Sequence, residues 1–506
     1  MSVRSHARRS QTRWLLTAGL ASLASACSSG EPEAPVRPPD IVLVTLDTTR
    51  ADHLGPYGYF RDTTPFLTRF AQQAVVFEDA VVPMATTLPT HTSILTGTYP
   101  LEHGVLANLA HTGHYFQPSA GLRSFAEFCR DAGYRTAAFV SAVPLKRASG
   151  IEAGFDHFVE PPADVRERSA AATTDLVLDW LDDIAEDERP LLLWVHYFDP
   201  HWPYEAPAEF ELFKTDEALE AWLAERSIPE SVYRRKAGED ELAAASHNLY
   251  DAELRYLDHQ LERLFARLDQ RPRASETATV IVGDHGEALC QHDRTGHGSV
   301  WHEQLHAPLL MRVPGVLPRR VNTTVSVVDA LPTLLGQLDA PALAPFLDQA
   351  RGRDVLASDF VATPVLSQDT GVRIEDPGAK VYRHSLTEGR WKLVRIDVKK
   401  PRPGDSLPAV TYQLYDRQSD PHELNDLAAS EPDRVRELDR LLVEMIEDQR
   451  RAGTRLGSGE RATERADDEL IQDLRGLGYV IGEEDEAESE ATAPVETTPD
   501  TEPNDS

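Results

Sequence analysis

The sequence predicts an α/β protein: a large, mostly parallel sheet with helices on both faces, followed by a smaller C-terminal α+β subdomain with an antiparallel sheet. Short apolar runs lead straight into polar or glycine-rich turns at residues 41–46 before Asp47, 136–140 before Ser141, 191–195 before His196 and 279–282 before Gly283 and Asp284. Between them lie helical patterns at 64–74, 121–132, 173–184 and 242–268. Strands alternating with helices imply parallel pairing buried on both faces. Beyond the helix-like run 329–335 the pattern changes. Alternating stretches at 390–396 and 410–414 read as antiparallel strands, and a helix is predicted over 432–450.

Size supports this division. A chain of 506 residues, 41% hydrophobic and 26% charged, can bury a large core and exceeds one ordinary domain. The sequence divides into an expected export signal (1–27), a Pro-rich linker (28–39), a large α/β domain (40–345) and a C-terminal subdomain (346–450). A helical extension (451–482) and a disordered acidic tail (483–506) follow. The tail is rich in Glu, Thr and Pro and poor in aromatics, so it cannot offset its own ordering entropy.

Charge excludes one class of partner. Against 51 basic residues stand 83 acidic ones, a formal net charge of −32, which disfavours nucleic acid because such binding rests on neutralising phosphates with Lys and Arg. Three cysteines, Cys27, Cys129 and Cys290, are too few for a disulfide scaffold, and no CxxC motif exists. Any metal site must therefore be built from carboxylates and imidazoles.

The first residues read as an export signal. Arg4, Arg8, Arg9 and Arg13 precede an apolar run at 14–26 that is too short to span a bilayer. Small residues directly before Cys27 resemble a bacterial lipoprotein signal, with Leu23 one place further from the Cys than the usual pattern. A lipid on Cys27 would anchor the chain to a membrane of the bacterial cell envelope, facing the periplasm or the exterior. Ordinary secretion with cleavage near Ala26 is the alternative.

In parallel α/β sheets, ligands bind beyond the carboxyl ends of the strands. Asp47, His196 and Asp284 all fall there. Asp284-His285-Gly286-Glu287 offers a hard oxygen and a neutral nitrogen at adjacent positions, although such a pair alone is more often a capped turn. Asp47 is either a second metal ligand or an N-cap. Within residues 86–97, Pro89 near a helix start and Gly97 at its end place Thr87 at a positive helix N-terminus, where it is either a cap or an anion-facing hydroxyl.

Taken in order, these elements resemble the sulfatase family of the alkaline phosphatase superfamily over about residues 41–427. The resemblance is carried by the strand ending in Asp47; Leu54-Gly55-Pro56-Tyr57-Gly58; the Thr87 segment with Leu95-Thr96-Gly97 and Tyr99 to Gly104; and Asp199-Pro200-His201-Trp202-Pro203-Tyr204. It continues through Asp284-His285-Gly286-Glu287, Gly296-His297-Gly298, Trp301-His302-Glu303 and the stretch 414–427. It implies one divalent cation (Ca, Mn, Mg or Zn) held by Asp47, Asp284 and His285, with Thr87 as the nucleophile touching that metal.

Departures from the family are equally informative. Sulfate-cleaving relatives carry Cys or Ser at position 87, oxidised to formylglycine and followed by Pro and Arg; here the string is Thr87-Leu88-Pro89-Thr90-His91. Asp47 is followed by Thr48 rather than a second Asp. The family's sulfate-gripping Gly-Lys-x-His segment is missing from 138–144, and His297 stands where a Lys is usual. The candidate catalytic set is Thr87, His91, His201 and His297, with His91, His103 and His196 read as supporting histidines rather than ligands.

His201 and His297 are read first as groups serving the ester oxygens or leaving group, and alternatively as holders of a second divalent ion with Asp199. The expected substrate is a small anionic ester or a sulfated or phosphorylated glycan or lipid. The expected activity is hydrolysis of sulfate or closely related esters through a metal-bound Thr87. A phosphodiesterase or phosphonate-type hydrolase with a phospho-Thr intermediate is the alternative, and a phosphoethanolamine-type transferase or a non-catalytic binding protein are further ones.

Overall fold

The computed structural model describes residues 37–109, 113–162, 165–213, 217–226, 228, 240–369, 373–375, 379–400, 409–457, 461–466 and 471. The predicted export signal with Cys27, the predicted linker up to residue 36, residues 214–216, 227 and 229–239, and the predicted acidic tail lie outside the described residues. The described residues from Pro38 onward cluster as one compact unit.

The large sheet contains β1 (Ile41–Leu46), β2 (Val75–Val81), β3 (Arg135–Phe139), β4 (His157–Val159), β5 (Leu191–Tyr197), β6 (Ala278–Gly283), β7 (His306–Arg312), β8 (Arg319–Val321) and β9 (Val325–Ser326). Their order is β8-β2-β7-β6-β1-β5-β3-β4, with β9 also on β2. Pairing is parallel except for β7, which runs antiparallel to both neighbours. A mostly parallel sheet is therefore the observed architecture.

Helices cover both faces, as fully apolar strands require. These are α1 (Pro65–Ala71), α2 (Thr87–Thr96), α3 (Phe125–Asp131), α4 (Ala170–Asp183), α5 (Asp240–Leu268) and α6 (Ala330–Gly336). Alternation along β1 shows how one strand serves two cores. Ile41 and Leu43 join a core with Ile94 of α2, Phe125 of α3 and Leu331 of α6. Val42, Val44 and Leu46 join the opposite core with Phe70 of α1, Leu181 of α4 and Leu261 of α5.

Register fixes what the strands present at their ends. Leu46 pairs in parallel with Tyr197 on one side and Gly283 on the other, so Asp47 and Asp284 leave neighbouring strands at the same level. His196 sits opposite Thr45.

The smaller sheet comprises β10 (Val365–Gln368), β11 (Arg373–Glu375), β12 (Ala379–Glu388), β13 (Trp391–Lys400) and β14 (Val410–Asp416), all antiparallel. Helix α7 (Pro432–Leu456) lays Leu438, Leu442 and Ile446 against Leu366, Leu386, Leu393 and Leu414 of this sheet. A backbone seam joins the two sheets: Gln368 N–H donates to the Pro83 carbonyl at 3.0 Å and the Ser367 hydroxyl to that of Val82 at 2.7 Å.

Two boundaries differ from the sequence reading. The division at 345/346 falls inside a helix, Ala344–Gln349, whose Phe346 is buried in the larger core, so the smaller sheet begins only at Val365. The segment after 451 is not a continuous helix. Helix α7 stops at Leu456 before Gly457, which has φ +77°, and Arg461–Arg465 is a strand paired with His114–Phe116. Gly is the residue that adopts such a φ at little cost, so the helix ends there. Cys129 and Cys290 are both buried and form no disulfide.

Leu442 is fully buried where α7 meets the small sheet. Leu442→Ala is expected to lower stability by about 2–5 kcal/mol, the usual cost of a buried Leu cavity, measured by urea unfolding.

Candidate active site

The chain leaves β1 through a tight turn. Asp47 N–H donates to the Tyr197 carbonyl at 2.9 Å, and Thr48, at φ +44°, turns its own N–H back to Asp284 Oδ1 at 3.1 Å. Positive φ is costly for a β-branched residue, so the surroundings must impose it. Tyr250 of α5 does so, its hydroxyl donating to the Thr48 carbonyl at 2.8 Å and accepting from Arg50 N–H at 2.9 Å. On β6, the turn through Gly286 passes so close to Glu303 that a Cβ would lie 2.1 Å from its carbonyl oxygen. Only glycine fits.

These turns converge three ligand atoms. Asp47 Oδ1, Asp284 Oδ2 and His285 Nε2 are buried without hydrogen-bond partners, and the three residues' donor atoms lie within 4.8 Å of one another. Their other atoms are engaged. Asp284 Oδ1 accepts from Thr48 N–H and from His285 N–H at 2.7 Å. His285 Nδ1 faces the Gly286 carbonyl at 3.0 Å, which assigns the proton to Nδ1 and leaves an inward lone pair on Nε2. His196 Nδ1 accepts from Ser141 N–H at 3.2 Å, so Nε2–H donates to Asp47 Oδ2 at 3.3 Å.

Charge makes this arrangement costly without a cation. Burial drives the Asp47 carboxyl well above the usual carboxylate range. Burial and then the Asp47 charge do the same to Asp284. Burial also holds His285 well below its ordinary value, hence neutral. Two carboxylate oxygens and an imidazole nitrogen, orphaned and aimed at one point, fit a divalent cation; the donor set is mixed and does not select one metal.

Thr87 lies beside this cluster. Thr86 occupies the cap position of α2 and Thr87 is the first helical residue, so its side chain is not the cap. Its buried hydroxyl is near enough to favour the charged form of Asp47, though the contact falls short of a full hydrogen bond. Asn108 Oδ1 takes up the next amide, Leu88 N–H, at 2.7 Å.

The histidines separate by role. His91, one turn along α2, has Nδ1 2.7 Å from the Thr87 carbonyl and Nε2 2.9 Å from Thr45 Oγ1; with both nitrogens engaged it positions the Thr87 turn. His103 braces α2 through Ser93 Oγ at 2.9 Å. His201 and His297 meet with their Nε2 atoms 3.3 Å apart, and the His297 ring packs on His285 with centroids separated by 4.4 Å. Burial holds His201 down to about 3. Asp199 belongs to another group. Its carboxyl is pushed up to about 7 by burial and by Glu167, which is itself raised to about 7 by burial and by Glu205.

Sequence reasoning left three contacts unforeseen. Thr45 is the polar hub for His91 and for Trp194 Nε1, at 3.0 Å; its only signal was a hydroxyl inside an apolar strand. Tyr250 comes from mid-helix and left none. Tyr204 donates to Glu287 Oε2 at 2.6 Å, tying the 199–204 motif to the one at 284–287. Lys146, near the missing cationic segment, donates to the Pro162 and Val165 carbonyls.

A buried carboxylate–imidazole cluster at the ends of parallel strands, beside a hydroxyl on a helix N-terminus, is an arrangement suited to metal-assisted ester hydrolysis. The chain belongs to the sulfatase family, whose model matches residues 39–340. The uncharacterized sulfatase YidJ of Escherichia coli is 22% identical over 436 residues, covering 77% of this chain and 83% of its own. A solved Bacteroides thetaiotaomicron structure, from work on the metabolism of multiple glycosaminoglycans, shares the fold. It has a TM-score of 0.65 and 21% identity, covering 82% of this chain and 97% of that one. The phosphonate monoester hydrolase of Agrobacterium radiobacter does so at TM-score 0.60 and 18% identity, covering 81% and 96%. These similarities mark the chain as a sulfuric-ester hydrolase with a phosphonate hydrolase among its structural neighbours.

Glu253 of α5, close to Asp199, is raised to about 8 by burial and by that neighbour. The folded protein thus keeps a proton that the unfolded chain releases near pH ~4, and the associated stability is lost as pH rises towards 8. Glu253→Gln is expected to flatten the fall in melting temperature between pH 5 and 8, roughly, and an unchanged slope would remove Glu253 as its source.

Proposed function

We propose that this protein hydrolyses sulfate or closely related anionic esters with the Thr87 hydroxyl as nucleophile, beside a divalent cation held by Asp47, Asp284 and His285. The observation that carries this reading is the unsatisfied, buried Thr87 Oγ1 lying next to three convergent ligand atoms. When bound, the cation would lower the pKa of a contacting hydroxyl and draw charge from an ester oxygen. The residues supply the rest. Thr87 Oγ gives up its proton and bonds to sulfur or phosphorus while the bond from that atom to the ester oxygen breaks in line, and the departing alkoxide takes up one proton to leave as the alcohol. His91 and Asn108 fix that turn, and His196 keeps Asp47 Oδ1 aimed inward.

A sulfated glycan suits this reading, and the glycosaminoglycan-associated neighbour supports it. A specific feature favours a second reading, cleavage of a phosphodiester or phosphonate. Thr cannot yield formylglycine by the oxidation that serves Cys or Ser, so the sulfated or phosphorylated Thr must be cleared by attack of water. That attack is easier at phosphorus than at sulfur. The phosphonate monoester hydrolase neighbour supports this alternative. For placement in the cell we propose export and lipid attachment at Cys27, which the basic and apolar pattern before it supports.

Thr87→Ala is expected to lower turnover by about 10³-fold or more while leaving the melting temperature close to wild type. Parallel assays on an aryl sulfate, a phosphate monoester, a phosphodiester and a phosphonate decide the substrate class, and activity retained in the variant ends the role of Thr87. Cys27→Ser is expected to release the protein from the membrane fraction of a bacterial host, read by fractionation and intact mass.

A further inference from the structure

Arg50 is a buried cation, only 2% exposed, to which the ester chemistry gives no part. Its backbone belongs to the turn that follows β1 and carries Asp47, whereas its guanidinium lies on the turn that follows β6 and carries Asp284 and His285. Nη1 donates to the Glu287 carbonyl at 3.0 Å and to Gln291 Oε1 at 3.1 Å. Nε and Nη2 form a two-pronged pair with Asp52, at 2.9 and 2.8 Å. The aliphatic stem passes beside Gly286, where a Cβ would lie 3.0 Å from Arg50 Cγ. One side chain thus spans both ligand-bearing turns.

Tyr250 anchors its backbone end. The Tyr250 hydroxyl donates to the Thr48 carbonyl at 2.8 Å and accepts from Arg50 N–H at 2.9 Å, which fixes positions 48 and 50 against one rigid phenol. Thr48 N–H in turn reaches Asp284 Oδ1 at 3.1 Å. The bonds close a circuit: residue 48 holds Asp284 directly, and residue 50 holds the carbonyl two positions beyond His285.

The circuit opposes a specific force. Like charges on Asp47 and Asp284 push their two turns apart until a cation joins them. Arg50 is itself balanced by Asp52, whose carboxyl its charge and hydrogen bonds hold well below the usual range although burial alone would raise it. The pair therefore adds little net charge against an incoming cation, and what the guanidinium contributes is geometry. A planar guanidinium serves a carboxylate and two further acceptors at once, which an ammonium on a flexible stem cannot do in fixed geometry.

We propose that Arg50, anchored by Tyr250, is a positioning residue that presets the spacing of Asp47 against Asp284 and His285 and so sets the affinity and geometry of the divalent-cation site. Neither Arg50 nor Tyr250 is a ligand. This role rests on the cation reading given above, since it concerns the same three ligands, and adds what holds them ready before the ion arrives.

The test uses the purified, chelator-stripped full chain titrated with Co²⁺, with affinity read by calorimetry and ligand geometry by the visible absorption of the bound ion. Tyr250→Phe removes only the hydroxyl, and Arg50→Lys only the planar fork. Each is expected to weaken Co²⁺ binding by about 10–100-fold and to alter the absorption spectrum. Leu442→Ala, in the small-sheet subdomain, is the control: it lowers the melting temperature but is expected to keep wild-type affinity and spectrum. Asp284→Asn removes a ligand and tests the site itself. Circular dichroism verifies folding, and if Arg50→Lys does not fold, Tyr250→Phe decides. Wild-type affinity and spectrum in the folded Arg50 and Tyr250 variants, with Asp284→Asn weakened, would overturn the positioning role and leave the cation site standing. An equal loss in Leu442→Ala would also overturn it, by tracing the effect to stability. Asp284→Asn binding as tightly as wild type would overturn the cation site and the positioning role together.

Discussion

The mutual repulsion of two buried carboxylates, Asp47 and Asp284, is the constraint to which the catalytic end of this molecule answers. Neither Asp47 Oδ1 nor Asp284 Oδ2 has a hydrogen bond, and burial makes each charge costly. A protein of such acidity gains nothing from placing two acids together unless a cation joins them. The fold therefore spends its local geometry on keeping two particular oxygens and one nitrogen unsatisfied.

That geometry depends on the order of the strands. β1 is central, flanked by β5 and β6, and equal register places the residues following all three at one level. Strand ends alone do not aim side chains. The Thr48 turn, the close approach at Gly286 and the His196 bond to Asp47 do so, each consuming the oxygen or nitrogen that would otherwise compete. α5 contributes from the opposite face, because Tyr250 holds the one strained turn in the site. Large-scale topology and single hydrogen bonds thus act on the same few atoms.

How far the sequence disclosed this follows from the range of each interaction. β1 was legible at its observed limits, and β5 and β6 within a residue or two, because apolar runs ending in polar turns are a local signal. Asp47, Asp284 and His285 were legible as candidates for the same reason, since strand ends in parallel sheets are predictable places for ligands. What stayed hidden was orientation. Thr45, Tyr250 and Asn108 act across 46, 202 and 20 positions of chain respectively, and nothing in their neighbourhoods announces a partner. The domain division at 345/346 cuts the helix Ala344–Gln349, whose Phe346 packs into the larger core, a long-range contact that nothing local in the sequence announces. The late motif at 414–427 proves mainly structural. Asp420 caps the amides of Leu424 and Asn425, and Lys392 forms a buried pair with Glu423 at 2.6 Å.

The departures at positions 87 and 297 belong together physically. A threonine ester lacks the internal exit that an aldehyde hydrate provides, so its breakdown depends on water reaching sulfur or phosphorus against the charge of the bound group. A lysine at 297 would stabilise that charge but would do little to make water a better nucleophile. A neutral imidazole carries no fixed charge and, unlike an ammonium, can take a proton from an attacking water. On the proposed reading, the exchange of a charged amine for an imidazole goes with the exchange of a self-clearing nucleophile for a plain hydroxyl, and both would bear on the second half of turnover rather than the first.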